Sequence, residues 1–460
     1  MRRKSWRDYQ RDFKRQQRLG VLWRQAAVLA PLALLLGFTF LGVWHLASHL
    51  SGAAGPIPAV QAQTEGRLSK LQLAALLGDR LLAPAPEGRL QATVGERSLQ
   101  VRTTLDPALQ AYLDRLLADS GALRGACVVL EPDTGRVLAL ASHNPEGGGN
   151  LCLSASPAAS LFKLVTAAAA IEERGLGSAS PLRYCGDPHG MPGRATLTPR
   201  RWGTSVTLAG AFARSINPVF GSLGALEVGG TALRRWGQRC AFNREIPFEL
   251  PLSPSHLEVP ADQVEVARIA SGYNRQTTIT PVHAALLAAA VVNDGRLPEP
   301  TLVAQVVDGG SQTLYEPQPT ALGQPFSPRC AHELRRLMSA TITEGTCRRS
   351  LLPYLGRKRL AELEVGGKTG SISGEDGKIK YDWFAGYALE RNGGRRLALA
   401  VVQMHGSYLG HRSPTIAAAA IRHCLGMEEL TLWKPHPPKA KRHQATPERA
   451  QRKARSKSAS

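Results

Sequence analysis

Ser160-Leu161-Phe162-Lys163-Leu164-Val165-Thr166-Ala167-Ala168-Ala169-Ala170-Ile171-Glu172-Glu173-Arg174-Gly175 reads as a helix that begins near Ser160 and stops at Gly175, a residue suited to the backbone of a helix end. Positions i and i+3 share a helix face, so the Lys163 amine can reach the Ser160 hydroxyl. A serine hydroxyl is a weak nucleophile that needs an adjacent base, and a lysine serves as that base only when neutral. Burial and a neighbouring cation both push a lysine towards neutrality. No other Ser-x-x-Lys occurs in the chain.

Working outward, residues 127–132 and 136–142 are apolar runs joined by Asp133-Thr134-Gly135, a hairpin signal. The middle of the chain is mainly helical: residues 208–223, then 282–292, which start after Thr280-Pro281 and end at Asn293-Asp294-Gly295. Strands return at 363–371, 383–389 and 397–404, and a final helix covers 415–424. This order predicts an α/β fold, an antiparallel sheet assembled from both ends of the sequence and covered by helices, with a helical subdomain between.

Two further motifs carry chemistry. Val365-Gly366-Gly367-Lys368-Thr369-Gly370-Ser371 places a cation, hydroxyls and a small residue on a strand that, at a sheet edge, could pair with an extended peptide. It is not a phosphate-binding loop, because Glu362 stands where the first glycine of that motif belongs. Ser-x-Asn occurs twice, as Ser142-His143-Asn144 and Ser215-Ile216-Asn217. Only the second falls in the order Ser-x-x-Lys, Ser-x-Asn, Lys-Thr-Gly.

The 460 residues are 43% hydrophobic, which excludes wholesale disorder. The net charge of +21 is concentrated at the ends: nine Arg and Lys in residues 1–25 and nine in 434–460, so the body between is only mildly basic. Residues 26–47 contain no fixed charge and, as a helix, span about 33 Å, enough to cross a bilayer core. Trp23 and Trp44 sit near the two ends of that run, and the cations before it are expected to place the N-terminus in the cytoplasm and the rest outside. The run is longer than a signal-peptide core, and the small residues Val60 and Ala62 lie well past it, so the anchor is expected to stay uncleaved.

The expected organisation is a basic cytoplasmic tail (1–25), a transmembrane anchor (26–47), a juxtamembrane linker or short stalk (48–100), a catalytic domain (101–430) and a disordered basic tail (431–460). Seven cysteines show no metal spacing; Cys127 and Cys424 fall in apolar runs as core thiols, and the other five leave one or two disulfides open.

The ordered triple of motifs resembles the penicillin-binding transpeptidases. Thr103-Thr104-Leu105-Asp106-Pro107-Ala108-Leu109-Gln110 looks like the opening segment of that domain. Leu130-Glu131-Pro132-Asp133-Thr134-Gly135-Arg136-Val137-Leu138-Ala139 looks like its first hairpin, and Trp383-Phe384-Ala385-Gly386-Tyr387 like a later strand. The likeness covers about residues 101–427.

It implies the serine β-lactamase/transpeptidase-like fold. Ser160 would be the acylated nucleophile, Lys163 its base and Ser215 a proton relay towards the leaving amine. Asn217 would bind the acyl side of the substrate, and Lys368, Thr369, Gly370 and Ser371 would form the substrate-binding strand. Lys368 and Thr369 would hold the terminal carboxylate of a D-Ala-D-Ala stem peptide or a β-lactam, with the N–H groups of Ser160 and Ser371 as the oxyanion hole.

The implied activity is peptidoglycan cross-linking by acyl transfer, with a membrane glycosyltransferase or polymerase as partner. No metal, organic cofactor or nucleic acid is implied. The likeness is to a short, single-domain transpeptidase on a membrane stalk, closest in layout to the monofunctional class B members although their long N-terminal pedestal is not found here, and residues 48–100 are too short for a glycosyltransferase domain. The sequence leaves open acyl transfer to water, as in a D,D-carboxypeptidase, a β-lactamase or a β-lactam sensor, and a non-catalytic scaffold of the same fold. Glu227, Glu245, Glu249, Glu258 and Glu265 are the mid-chain glutamates a lactamase could use to activate water.

Overall fold

The computed structural model describes residues 67–430, apart from 83–87, 95–96 and 198–201. The chain divides at Gly66 and Arg67 into two units. The first unit, with the basic tail and the apolar run 26–47, lies outside the described residues, as does the tail 431–460. Among the described residues no helix is long and apolar enough to cross a membrane.

In chain order the main strands are β1 (Arg89–Val94), β2 (Arg97–Thr103), β3 (Arg124–Leu130), β4 (Val137–His143), β5 (Val303–Asp308), β6 (Thr313–Tyr315), β7 (Leu363–Ser373), β8 (Lys380–Glu390) and β9 (Arg396–His405). The principal helices are α1 (Lys70–Leu77), α2 (Pro107–Asp119), α3 (Lys163–Arg174), α4 (Leu208–Ala213), α5 (Asn217–Ser222), α6 (Gln263–Ala270), α7 (Pro281–Val292), α8 (Pro328–Thr343) and α9 (Ser413–Cys424).

The central sheet runs β7-β8-β9-β3-β4, every neighbour antiparallel, so its strands come from both ends of the sequence as expected. Helix α7 explains why the sheet has a dry face. All twelve of its residues are buried, Pro281 opens it without losing a needed N–H, and Thr280 caps it by accepting from the His283 N–H. It packs on β9, β8 and β3 while α8 packs on β7; α9 and α2 cover the opposite face. Two apolar clusters result, one on each side of the sheet.

The expected helix over 208–223 is divided. Helix α4 ends at Ala213, Ser215 takes a left-handed backbone with φ 57°, and α5 restarts at Asn217-Pro218. Pro218 favours a helix start and so fixes the restart.

The largest departure from the sequence reading lies before residue 101. Residues assigned to a linker or stalk are, from Arg67 onward, part of the folded unit. Ser69 and Gln72 cap α1 reciprocally. Strands β1 and β2 form a hairpin that pairs onto β5, giving a second sheet β1-β2-β5-β6. Leu73, Leu77, Leu81, Leu99 and Val101 join the main apolar core. The possible disulfides are likewise absent: all seven cysteines, each among the described residues, are free thiols, and Cys185 alone is not buried.

Candidate active site

Ser160, the candidate nucleophile, sits on a tight turn rather than on the α-helix proper. Ala159–Phe162 is a 3₁₀ turn, and α3 begins at Lys163. Ala159 has φ 49°, a backbone conformation that a residue with a side chain occupies only when its surroundings enforce it. The enforcement is visible. Ala158 donates its N–H to Thr277 O at 2.9 Å, and the Trp383 Nε1–H donates to Pro157 O at 2.9 Å. Gly272 and Gly370 close on the turn from two sides. A Cβ on Gly272, whose φ is 68°, would lie 1.9 Å from Ala159 O, and one on Gly370 would lie 3.3 Å from both Ala159 Cβ and Ser160 N. Gly370 is therefore small so that β7 can approach the turn that carries Ser160.

Lys163 Nζ lies 2.9 Å from Ser160 Oγ, 2.7 Å from Asn217 Oδ1 and 2.5 Å from Ser271 O. The Asn217 orientation is fixed because its Nδ2 donates to His189 O at 3.0 Å and Gly190 O at 3.2 Å. Two of the three neighbours of the amine are thus obligate acceptors. A neutral amine has two N–H groups and one lone pair, so with both N–H groups taken the lone pair faces the Ser160 hydroxyl. Lys163 is fully buried, and burial first, then the charge of Lys368, holds its pKa well below the ordinary lysine range.

A second amine–hydroxyl pair stands beside the first. Lys368 Nζ donates to Ser215 Oγ at 2.9 Å and to Thr369 O at 2.7 Å. Lys368 is 1% exposed, and burial lowers its pKa to about 7. Phe220 and Phe212 wall the two amines, their ring centres 5.7 Å from Lys163 Nζ and 5.5 Å from Lys368 Nζ.

These groups line, or lie just beneath, an open cleft of about 360 Å³ bordered by Ser160, Ser215, Asn217, Thr369, Gly370 and Ser371. Lys163 and Lys368 are behind its wall. Asn217, expected to bind the acyl side of a substrate, reaches the cleft but spends its amide on Lys163 and the 189–190 backbone. Lys368, expected to hold a carboxylate, contacts Ser215 and Thr369 O. The other Ser-x-Asn is a loop cap: Ser142 Oγ accepts from Leu151 N and Asn144 Nδ2 donates to Gly147 O. None of the five mid-chain glutamates lines the cleft; Glu249, for example, is buried, accepting from Thr301 Oγ1, Leu302 N and the Tyr315 hydroxyl.

The motifs did not indicate Thr346, whose hydroxyl meets Thr369 Oγ1 at 2.5 Å. They also missed Tyr273, His189 and Arg412, which line the cleft, and Asp382, which holds Arg412 and Ser413 from below. Asp382 had a signal of its own: an acid set against the apolar run 383–389, which needs a partner if buried.

A strained serine turn with a buried lysine, set against the edge of a helix-covered antiparallel sheet, is the arrangement of the penicillin-binding transpeptidase class. The chain belongs to that family: residues 125–422 match the penicillin binding protein transpeptidase domain. It is 27% identical over 283 residues to the peptidoglycan D,D-transpeptidase PbpA of Mycolicibacterium smegmatis, covering 53% of this chain. It spans 56% of the length of that relative and of the Mycobacterium tuberculosis PbpA, also 27% identical.

Among solved structures, the D,D-transpeptidase domain of a peptidoglycan glycosyltransferase from Eggerthella lenta superposes with a TM-score of 0.59 at 27% identity, covering 71% of this chain and 82% of that one. Penicillin-binding protein A from M. tuberculosis, as its imipenem acyl-enzyme, shares the fold with a TM-score of 0.60 at 24% identity, covering 71% and 79%.

Proposed function

We propose that this chain is a penicillin-sensitive serine D,D-transpeptidase that cross-links peptidoglycan stem peptides. The observation that carries the reading is the fully buried Lys163 amine 2.9 Å from Ser160 Oγ, its two other contacts both acceptors and its pKa pushed well down by burial. Ser160 Oγ attacks the carbonyl of the penultimate D-alanine while Lys163 takes its proton. The N–H groups of Ser160 and Ser371 receive the oxyanion. Collapse breaks the peptide bond, and the departing D-alanine nitrogen gains a proton through Ser215, whose hydroxyl Lys368 supports. The amine of a neighbouring stem peptide then attacks the Ser160 ester, forming the cross-link and freeing the hydroxyl. A β-lactam enters by the same first step, but its amine stays tethered after the ring opens.

The names of the relatives support this reaction class. Among the described residues lining the cleft none is a carboxylate, which weighs against a lactamase that activates water with glutamate. Residues 26–47 would anchor the enzyme as a single-pass protein of the cytoplasmic membrane, its catalytic domain outside and beside a wall polymerase.

The test is a donor pentapeptide ending in D-Ala-D-Ala, incubated with increasing D-amino-acid acceptor. Growth of the exchanged peptide at the expense of the hydrolysed tetrapeptide is expected; hydrolysis alone would make the protein a carboxypeptidase. Alkaline phosphatase fused after residue 60 should be active in cells, and an inactive fusion would reverse the topology.

A further inference from the structure

Every cation the motifs offered to this cleft is buried behind its wall. Lys163 is committed to Ser160, Asn217 and Ser271, and Lys368 to Ser215 and Thr369 O. Among the described residues lining the cleft, Arg412 alone carries a permanent charge.

Arg412 is the residue just before α9, and its side chain is 40% exposed while that of its partner Asp382 is 1% exposed. Asp382 lies opposite Ser371 in the β7–β8 register. Its Oδ1 accepts from Arg412 Nε at 3.0 Å and Nη2 at 2.5 Å, and from Ser371 Oγ at 3.2 Å; its Oδ2 accepts from Ser413 N at 2.8 Å. A buried carboxylate fixed by four donors thus holds the guanidinium against the cleft with Nη2 3.5 Å from Ser371 Oγ. Arg412 Nη1 keeps both N–H groups without a partner among the described residues. Thr369 and Ser371 are two apart on β7, so their hydroxyls share the face that Arg412 borders.

We propose that Arg412, set in place by Asp382, is the cation that recognises the substrate carboxylate in this cleft, with the hydroxyls of Thr369 and Ser371 as its co-ligands. The ligand is the carboxylate one carbon from the leaving nitrogen, whether on a stem peptide or on a β-lactam. This rests on the acyl-transfer reading above. It moves the charge expected of Lys368 to a residue outside the three motifs and leaves Lys368 to support Ser215. Asp382 is then a positioning residue.

The probes are benzylpenicillin and its methyl ester, which differ only in that carboxylate, and the readout is the ratio of their acylation rates on the full-length chain. Losing a charge-assisted hydrogen bond costs a factor of about 10 to 100. Arg412→Met should lower the acid-over-ester ratio by that factor, and Arg412→Lys should recover part of it. A ratio unchanged in Arg412→Met, with both rates lowered alike, would overturn the proposal and leave Arg412 a support for Ser371.

A measurement on the wild type needs no variant. If Arg412 supplies the charge, the acid-over-ester ratio stays level between about pH 6 and 9, below the titration of an arginine. A ratio falling through the region near 7, where Lys368 titrates, would return the carboxylate to Lys368. If neither compound acylates the wild type, the acyl-enzyme reading itself fails, a result distinct from an altered ratio.

Discussion

Two lysines buried within one site cannot both be charged cheaply, and this sets the pH dependence of the nucleophile. Acylation requires neutral Lys163, so its rate climbs as pH rises through the Lys163 pKa and then levels off. Because burial and the Lys368 charge hold that pKa well below 10.5, the climb should be complete before the ordinary lysine range. Lys368→Met removes the repulsive part, raises the Lys163 pKa and should move the climb to higher pH; a profile that stays put would contradict the coupling. Thr369→Val removes a hydroxyl from the carboxylate's face and should slow acylation by benzylpenicillin about tenfold, measured as a second-order rate. Ser160, Lys163, Ser215, Asn217, Lys368 and Thr369, which the structure gathers at or just behind one cleft, stood out in the sequence because each lies in a short motif whose internal spacing suits chemistry. Arg412 and Thr346 were not, because each meets its partner only through the fold, 30 residues from Asp382 and 23 from Thr369.

The elements around Ser160 are built to hold a strained turn, and Gly272 is their tightest point. Gly272→Ala would force a Cβ to within 1.9 Å of Ala159 O at a φ of 68°. It should lower the melting temperature and reduce acylation more than tenfold, because the turn that presents Ser160 must move. A variant as stable and as active as the wild type would show that the turn does not depend on this contact. Thiol chemistry reports on the core elements in the same way. Burial pushes Cys240, Cys347 and Cys424 up to about 12, so in the native fold Cys185 should be the one described cysteine that alkylates. Rapid modification of two or more would mean a looser core. Elements with continuous apolar runs, such as α7, β8 and β9, were readable from sequence. Strands β1 and β2 were not, since Arg89–Val94 and Arg97–Thr103 are rich in polar residues and take their meaning from pairing with β5, some 200 residues away.

At the scale of the whole unit, the segment from Arg67 to Thr103 seals one end of the core and does not tether it from outside. Lys70 Nζ ties α1 to Glu299 Oε1 at 2.6 Å and to Pro300 O at 2.7 Å, while Leu73, Leu77 and Leu81 are buried against the main core. A fragment of residues 67–430 should therefore fold cooperatively and bind penicillin, whereas residues 101–430 should aggregate or melt far lower, since each buried leucine removed costs about 2 to 5 kcal/mol. Equal melting temperatures for the two fragments would return residues 67–100 to the status of a stalk. The central claim, that Ser160 activated by Lys163 forms a lasting acyl-enzyme, is tested most directly by intact-protein mass spectrometry of wild type and Ser160→Ala after timed incubation with benzylpenicillin. The account predicts a single persistent penicilloyl adduct on the wild type, mapped to the peptide containing Ser160, and none on Ser160→Ala. An adduct on Ser160→Ala, or none on the wild type, would contradict it.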